Sequence, residues 1–536
     1  MDSQNKSNNT GGQSPSSPKS VKIPASAWKI LVILSCLATM VMYADTMLIP
    51  AIPDLIKDFH VSYSMSSWIL TAYLITGAVM TPIAGKLSDI YGKKRILLIT
   101  MIIYAIGVSI AGFAMNIYFL VIARAIQGIG MAMFPIAFSI VRDNFPREKL
   151  SIGQGVISSM FASGAVIGLS VGGAIIKYYG WQATFFTIIP IAIGLLIVIS
   201  RFIHVNEEVE VEKERKPEQQ QQGQLSIETE EKRFGSKAKK DSIHINIKDK
   251  SHSVVDIKGA VTLAAAVTSF LLVLTYLETG NSDGTSTGSL QTIVFLVIGI
   301  ISLTLFILVE KRSTNPLVDF RLVLHKTVLP ANLIIMIVGF SMFMVFQTIP
   351  ILVRNPPPLG FGEDAITTGN VQLPFAIILL IFGPTSGFII SKLGSMKPVI
   401  AGTSITSAGF FGLFVFHSAP LLISTDLAIL STGLSLTNVG AMNVTILSTP
   451  SQFMGISLGT SMLMRIIGAA VGPALAGMYM QSNESILKVN GIAQYFPSAE
   501  SYNLIFLTAT AISILSIALA IILRRRAIKL SIPNVF

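Results

Sequence analysis

Nearly uncharged apolar runs of 19 or more residues recur about fourteen times along the chain, and polar residues collect in the gaps between them. As a helix rising 1.5 Å per residue, each run is long enough to cross a hydrocarbon core of about 30 Å. The pattern predicts spans at 29–51, 66–84, 97–116, 118–141, 153–176, 183–203, 259–277, 290–310, 329–352, 371–391, 398–416, 421–444, 456–479 and 502–523. The expected fold class is an all-α integral membrane protein with 14 transmembrane helices. Composition points the same way. Of the 536 residues 51% are apolar and only 12% charged, with a mean hydropathy of +0.68, whereas soluble domains carry about 25% charge. A soluble protein with a large core would not repeat such runs.

The net charge of +11 could suggest a nucleic-acid partner, but its distribution gives another reason for it. An even number of spans puts both termini on one side. Lys and Arg number 21 in the tails and short loops of that side, against four (Lys57, Lys177, Arg354, Lys488) on the other. The positive-inside rule therefore makes both termini cytoplasmic. The basic balance faces the cytoplasmic leaflet of the plasma membrane, and no nucleic acid is needed to explain it. Residues 1–28 are polar, without the apolar core of a signal peptide, and read as a disordered cytoplasmic tail. Residues 204–258 mix acidic and basic residues with a Gln run at 219–222 and read as a charged cytoplasmic linker. Residues 524–536 form a second cytoplasmic tail.

An internal repeat crosses the linker. Gly155, Gly164, Gly168, Gly172 and Gly173 in the fifth span recur as Gly459, Gly468, Gly472, Ala476 and Gly477 in the thirteenth, at an offset of 304. Gly85, Asp89 and Gly92 are echoed by Gly387, Ser391 and Gly394, and Ala125, Ile126 and Gly130 by Ala428, Ile429 and Gly433. Asp45-Thr46 is matched by Gln347-Thr348. Residues 29–203 and 329–523 thus read as two parallel six-helix repeats, with 259–310 as two inserted helices. Parallel halves with a site between them describe a transporter that rocks.

Several segments carry a family resemblance. Gly85-Lys86-Leu87-Ser88-Asp89-Ile90-Tyr91-Gly92-Lys93-Lys94-Arg95 joins the second and third spans. As a basic topogenic loop it would need no Asp at a helix end between glycines. A carboxylate there can accept hydrogen bonds from a neighbouring helix N-terminus and latch two halves together. The segment resembles the signature loop of the major facilitator superfamily. Arg124-Ala125-Ile126-Gln127-Gly128-Ile129-Gly130 is similar to that superfamily's fourth-helix motif. The fifth-span glycines resemble the motif of drug/H+ antiporters, with Leu169 where a Pro is usual. Asp45-Thr46 with Pro50, Trp68 with Thr71-Ala72-Tyr73, Gly180-Trp181 and Asn315-Pro316-Leu317 look like the fourteen-helix branch of those antiporters. The resemblance implies Gly85, Asp89, Gly92, Lys93 and Arg95 as a conformational latch, and export driven by inward proton flow.

Charges inside spans are few, since each costs at least about 2.5–3.5 kcal/mol to insert. Asp45 and Arg124 each lie six residues from the outer end of their spans, roughly 9 Å deep, so they can pair. A static ion pair and a proton-coupling site both fit; on the second reading Asp45 meets Arg124 in one conformation and parts from it in another. In the second repeat Gln347 and Leu427 replace both charges together, which suits a role needed once per molecule. The fifth-span glycines, four apart, make a smooth face that serves either a fixed helix seam or a sliding one. Trp68, Gln127, Gln347, Asn438, Asn443 and Arg465 are candidates for a substrate cavity; Gln347, Asn438 and Asn443 could equally bridge helices, and Arg465 could equally snorkel to the interface.

Other chemistry is missing from the sequence. Cys36 is alone, the six His residues have no metal-ligand spacing, and no P-loop is present. No metal, cofactor or catalytic residue is expected, and a membrane enzyme or channel would need clustered catalytic groups or a repeated filter. The sequence therefore predicts a monomeric, proton-coupled exporter of hydrophobic or amphipathic small molecules, in contact with protons, cargo and lipid. An exporter of one metabolite, siderophore or lipid is the alternative.

Overall fold

The computed structural model describes residues 23–145, 150–203, 257–282, 286–313, 320–449, 454–489 and 492–529. Residues 1–22 of the predicted 1–28 tail, 204–256 of the predicted 204–258 linker and the Asn315-Pro316-Leu317 motif lie outside them.

Helix boundaries follow local chemistry. Helix α1 (Ala25–Thr46) stops short of Pro50, where a 3-10 turn leads into the short α2 (Ile52–Phe59). Helix α3 (Tyr63–Tyr91) starts at Ser62, whose hydroxyl accepts the Met65 N–H, and ends at Gly92, whose φ of 91° only glycine adopts without strain. After α4 (Lys93–Ala111), α5 (Ile117–Gly128) is capped by the Asn116 side chain. The fourth predicted span is not one helix. A 3-10 turn at Ile129–Ala132 separates α5 from α6 (Met133–Asn144). Gly128 precedes the break and Gly130 lies within it, and each lies against a neighbour, the Tyr73 carbonyl and the Tyr104 ring, where a Cβ would collide.

The chain continues through α7 (Leu150–Tyr179), α8 (Trp181–Phe202), α9 (Ile257–Ser282), α10 (Ser286–Arg312), the short α11 (Phe320–Val323) and α12 (Val328–Arg354). It ends with α13 (Ala365–Leu393), α14 (Met396–Val415), α15 (Pro420–Leu447), α16 (Met454–Ser482) and α17 (Ala499–Lys529). Thirteen described segments are long and apolar enough to cross a membrane. The 30-residue α7 occupies the remaining predicted span, so every predicted span falls on a helix. One element departs from an all-α chain. Strands β1 (Glu484–Val489) and β2 (Ile492–Pro497) form an antiparallel hairpin between α16 and α17, pairing Glu484 with Pro497 and Val489 with Ile492.

The hairpin marks one end of the bundle; Ala25 and Lys529 mark the opposite, termini end. Helix α1 packs on α7, and at the repeat offset α12 packs on α16. Likewise α4 packs on α5 and α8, and α14 on α15 and α17. The halves meet where α7 crosses α13 and α3 crosses α16, contacts that the repeat exchanges. One apolar cluster runs from Ala27 to Ile203 and takes only Ala365 from the second half. The inserted α9 lies on α3 and α16, where Trp68 Nε1 donates to Thr275 Oγ1 at 3.0 Å. Helix α10 turns Leu290, Ile293, Val297 and Ile301 outward.

Small residues set the closest approaches. A Cβ at Gly164 would meet the Thr39 carbonyl, at Gly168 the Thr46 hydroxyl, and at Gly172 the Met47 backbone, all on the α1 side of its own half. Gly468 and Gly472 sit in the same way on Met336 and Phe340 of α12. The smooth face predicted from the sequence is thus a seam within each half; Gly173, against the Ala365 carbonyl of α13, and its counterpart Gly477, against the Tyr63 carbonyl of α3, reach across. Gly155 lies outside the residues whose surroundings are described.

Gly168→Val should therefore lower the melting temperature of the purified protein markedly, since overpacking costs about 1–3 kcal/mol and here a backbone stands in the way. Gly85→Ala, with open space around its Cα, should leave it unchanged.

Candidate functional site

The buried charges converge where α1, α3 and α5 meet. Asp45 and Arg124 are 5% and 0% exposed. Arg124 Nη2 donates to Asp45 Oδ1 at 3.2 Å, Nη1 to Gln127 Oε1 at 2.9 Å, and Nε to the Ile69 carbonyl at 3.0 Å. Its guanidinium carbon also lies 4.6 Å from the centroid of the Tyr73 ring. A planar fork with several fixed donors suits this arrangement; a lysine ammonium would not reproduce it. Every one of these partners belongs to the first half. Rocking of the halves would therefore leave the pair intact, and separating Asp45 from Arg124 would require a rearrangement within the first half.

Asp45 faces a cavity between the halves. Val41, Met42, Tyr73, Leu74, Met131 and Phe134 line it from one side and Gly339, Met342, Phe343, Arg465, Ile466 and Ala469 from the other. Arg465 does not snorkel; it stands on the wall opposite Asp45.

The other predicted residues divide. Gln127 is buried and orients Arg124. Gln347, the counterpart of Asp45, donates from Nε2 to Ser66 Oγ at 3.0 Å and so joins α12 to α3 across the halves. Trp68 is spent on α9. Asn443 Nδ2 bonds Ser395 Oγ at 2.7 Å, tying α15 to the start of α14. Asn438 is partly buried on α15 and is not among the cavity-lining residues. In the signature loop Lys93 pairs with Asp143 at the end of α6, and Lys94 Nζ donates to the Ser200 carbonyl at 2.8 Å. Both contacts stay within the first half. Arg95 is exposed, and the side chain of Asp89 lies outside the described residues.

One end of the interface is sealed by polar contacts that the sequence reading missed. Lys177 at the end of α7 pairs with Asp364 at 2.6 Å. Arg354 at the end of α12 forks onto both carboxylate oxygens of Asp54, the Nη1 contact being 2.9 Å. Gln481 Oε1 accepts the Tyr63 N–H at 3.1 Å. Gly369 packs on the Leu169 carbonyl and Gly477 on that of Tyr63. All of these lie at the hairpin end. At the termini end of the same helices, Gly85, Gly387 and Gly459 have nothing within 4 Å of an added Cβ. Among the described residues, the polar ties between the halves collect at the hairpin end. A signal for the seal was present, since Lys177 and Arg354 are two of the four cations counted on that side.

Lys177, together with the Thr367 N–H, holds the Asp364 carboxyl down to about 2, and Asp364 in turn raises the Lys177 ammonium. The depressed carboxyl contributes stability that is present above its unfolded value of about 3.9 and is lost only as pH falls toward 2. The raised ammonium contributes below its unfolded value of about 10.4 and is lost as pH rises through its folded one. The pair is therefore charged throughout the neutral range and is a fixed tie, not a pH sensor.

Two like bundles packed around a cavity with a buried acid are the architecture of a membrane transporter. Residues 34–473 match the Major Facilitator Superfamily, and the chain belongs to that superfamily. It is 25% identical over 455 residues to the multidrug transporter protein MdtP of Bacillus subtilis (strain 168), covering 84% of this chain and 74% of that one. It is 24% identical over 458 residues to the tetracenomycin C resistance and export protein of Streptomyces glaucescens, covering 85% and 76%. The fold is similar to that of the crystal structure of the human organic anion transporter MFSD10 (TETRAN), with a TM-score of 0.59 and 14% identity over 93% of this chain and 100% of that one.

Asn is as good a helix N-cap as Asp, so Asp364→Asn removes the charge and keeps the bond to the Thr367 N–H. Combined with Asp54→Asn it should raise the reaction of a cysteine placed at Ser64, in a Cys36→Ser background, with a membrane-impermeant maleimide several-fold. The increase should be the same at pH 6 and pH 8.

Proposed function

We propose that the protein is a proton-coupled exporter of hydrophobic or amphipathic compounds, working by alternating access in the plasma membrane with both termini in the cytoplasm. The observation that carries this reading is the buried Asp45–Arg124 pair on the wall of an apolar cavity between the two halves. A protonatable carboxylate retained inside a membrane bundle marks a proton path. The methionine and phenylalanine walls suit varied apolar cargo, because flexible thioethers adapt to different shapes. The export and resistance names of the relatives support the direction of transport and the breadth of cargo.

In this reading residues 29–203 and 329–523 are the moving halves, 259–310 an insertion, and 204–258 and the two tails cytoplasmic appendages. Cargo reaches the cavity through the termini end, facing the cytoplasm. Gly85, Asp89, Gly92, Lys93 and Arg95 latch that end when it closes, with Gly92 supplying the turn. The Lys177–Asp364 and Arg354–Asp54 ties must then break. The chain acts as a monomer with lipid around it.

In inside-out vesicles, Asp45→Asn should abolish accumulation of ethidium driven by an imposed pH gradient while sparing passive exchange. Gln347→Glu should not rescue it, because Leu427 replaces the arginine in that half. Undiminished gradient-driven uptake by Asp45→Asn would refute proton coupling at this site.

A further inference from the structure

The cavity contains a second guanidinium whose bonding differs from that of Arg124. Arg124 is committed to four groups of its own half. Arg465, in the middle of α16 and in the other half, lines the cavity that Asp45 lines. Among the described residues, its guanidinium makes no hydrogen bond and no ion pair within 4 Å. Its helix is held to α12 by backbone-close packing, with Gly339 against the Arg465 carbonyl and Gly468 against that of Met336. Arg465 must therefore travel with the second half.

The two arginines are thus differently placed with respect to rocking. The Asp45–Arg124 distance lies inside one packed body, whereas the Asp45–Arg465 distance spans the gap that opens and closes. We propose that Arg465 makes proton binding at Asp45 depend on which end of the transporter is open. This rests on Asp45 being the proton site.

The physics is that of a second cation approaching a buried carboxylate, which favours the ionised form. In the conformation described here, with the hairpin end tied, Arg465 shares the cavity with Asp45, and this is the form that releases the proton to the termini side. When the halves rock and α16 swings away from α1, Asp45 keeps only Arg124, and it takes up a proton from the other side. No bond other than the carboxyl O–H forms or breaks. Alternation of this kind moves protons inward, the direction that drives export. It also removes the need for the Asp45–Arg124 pair to part.

The other groups around Asp45 do not supply such a switch. Tyr73 on α3, Tyr104 on α4 and Arg124 on α5 face it from the same half. The charged residues of α6, α7, α8 and α12 are Arg142, Asp143, Lys177, Arg201 and Arg354, all at helix ends. Arg465 is the one charged residue in α16. In the first repeat its position is Phe161, so, like the acid it faces, the second arginine occurs once per molecule.

The test reads the protonated carboxyl of Asp45 directly, as the infrared C=O band lost in Asp45→Asn, titrated in the full-length protein in detergent. Arg465→Gln should move the midpoint of that band upward by about one pH unit, the order of shift that a nearby opposite charge produces. Arg465→Lys should return it most of the way. Should Arg465→Gln not fold, Arg465→Met matches its apolar stem without the charge. Asp54→Asn with Asp364→Asn, which leaves Arg465 in place but loosens the hairpin-end seal, should also shift the midpoint upward. An unchanged midpoint in folded Arg465→Gln or Arg465→Met would overturn the proposal and leave Asp45 as the proton site. A protein with no Asp45 band at any pH from 4 to 10 would instead overturn the proton-site reading on which it rests.

Discussion

The structure depends on one costly interaction, the ion pair that Asp45 and Arg124 make inside an apolar bundle. Neither charge could be left alone there: breaking a buried pair by removing one partner costs about 3–5 kcal/mol. The surrounding helices are arranged to satisfy it. Ile69 turns a carbonyl toward Arg124, Gln127 offers an amide oxygen one helical turn further on, and Tyr73 covers the guanidinium with its ring. The interruption after Gly128 and the close approach of Gly130 to Tyr104 belong to the same packing. The second half, which has Gln347 and Leu427 at these positions, uses its space differently: Gln347 reaches across to Ser66 and helps hold the halves together.

Around that centre the division of labour is by body. Glycine seams bind α1 to α7 and α12 to α16, making each half a packed unit. The joint between the units is tied by polar contacts at the hairpin end. Charged ties such as Lys177–Asp364 suit a joint that must open, since exposed pairs contribute little and their groups are readily rehydrated. A large apolar seal would be harder to break on every cycle. Helix α9 touches both units at once, on α3 and α16, and its bond to Trp68 keeps it beside one of the two crossings.

Much of this was legible in the sequence because membrane insertion imposes a simple code. Runs of apolar residues long enough to span give the helices, and the 304-residue echo of the fifth-span glycines in the thirteenth gives the two halves. The Asp45–Arg124 pair could be read from equal depth alone. What could not be read is what a side chain does across a gap. Trp68 was a cavity candidate and Asn443 either a cavity residue or a helix bridge, and each is used to hold one helix to another. Arg465 looked able to snorkel because the sequence does not say which face of α16 points inward. The break in the fourth span and the hairpin at 484–497 escaped for another reason: hydropathy records apolar length but is blind to backbone geometry within or between spans.

The proposal that the driving proton rides on Asp45 implies that cargo and proton compete through that one carboxylate. It is tested most directly by adding ethidium to purified transporter in weakly buffered detergent near neutral pH and recording the protons released. By linkage, competition at a single site requires release of up to about one proton per bound ligand, and none from Asp45→Asn, whose binding should be retained. Equal release from both proteins, or binding by the wild type with no release at any pH between 5 and 9, would contradict it.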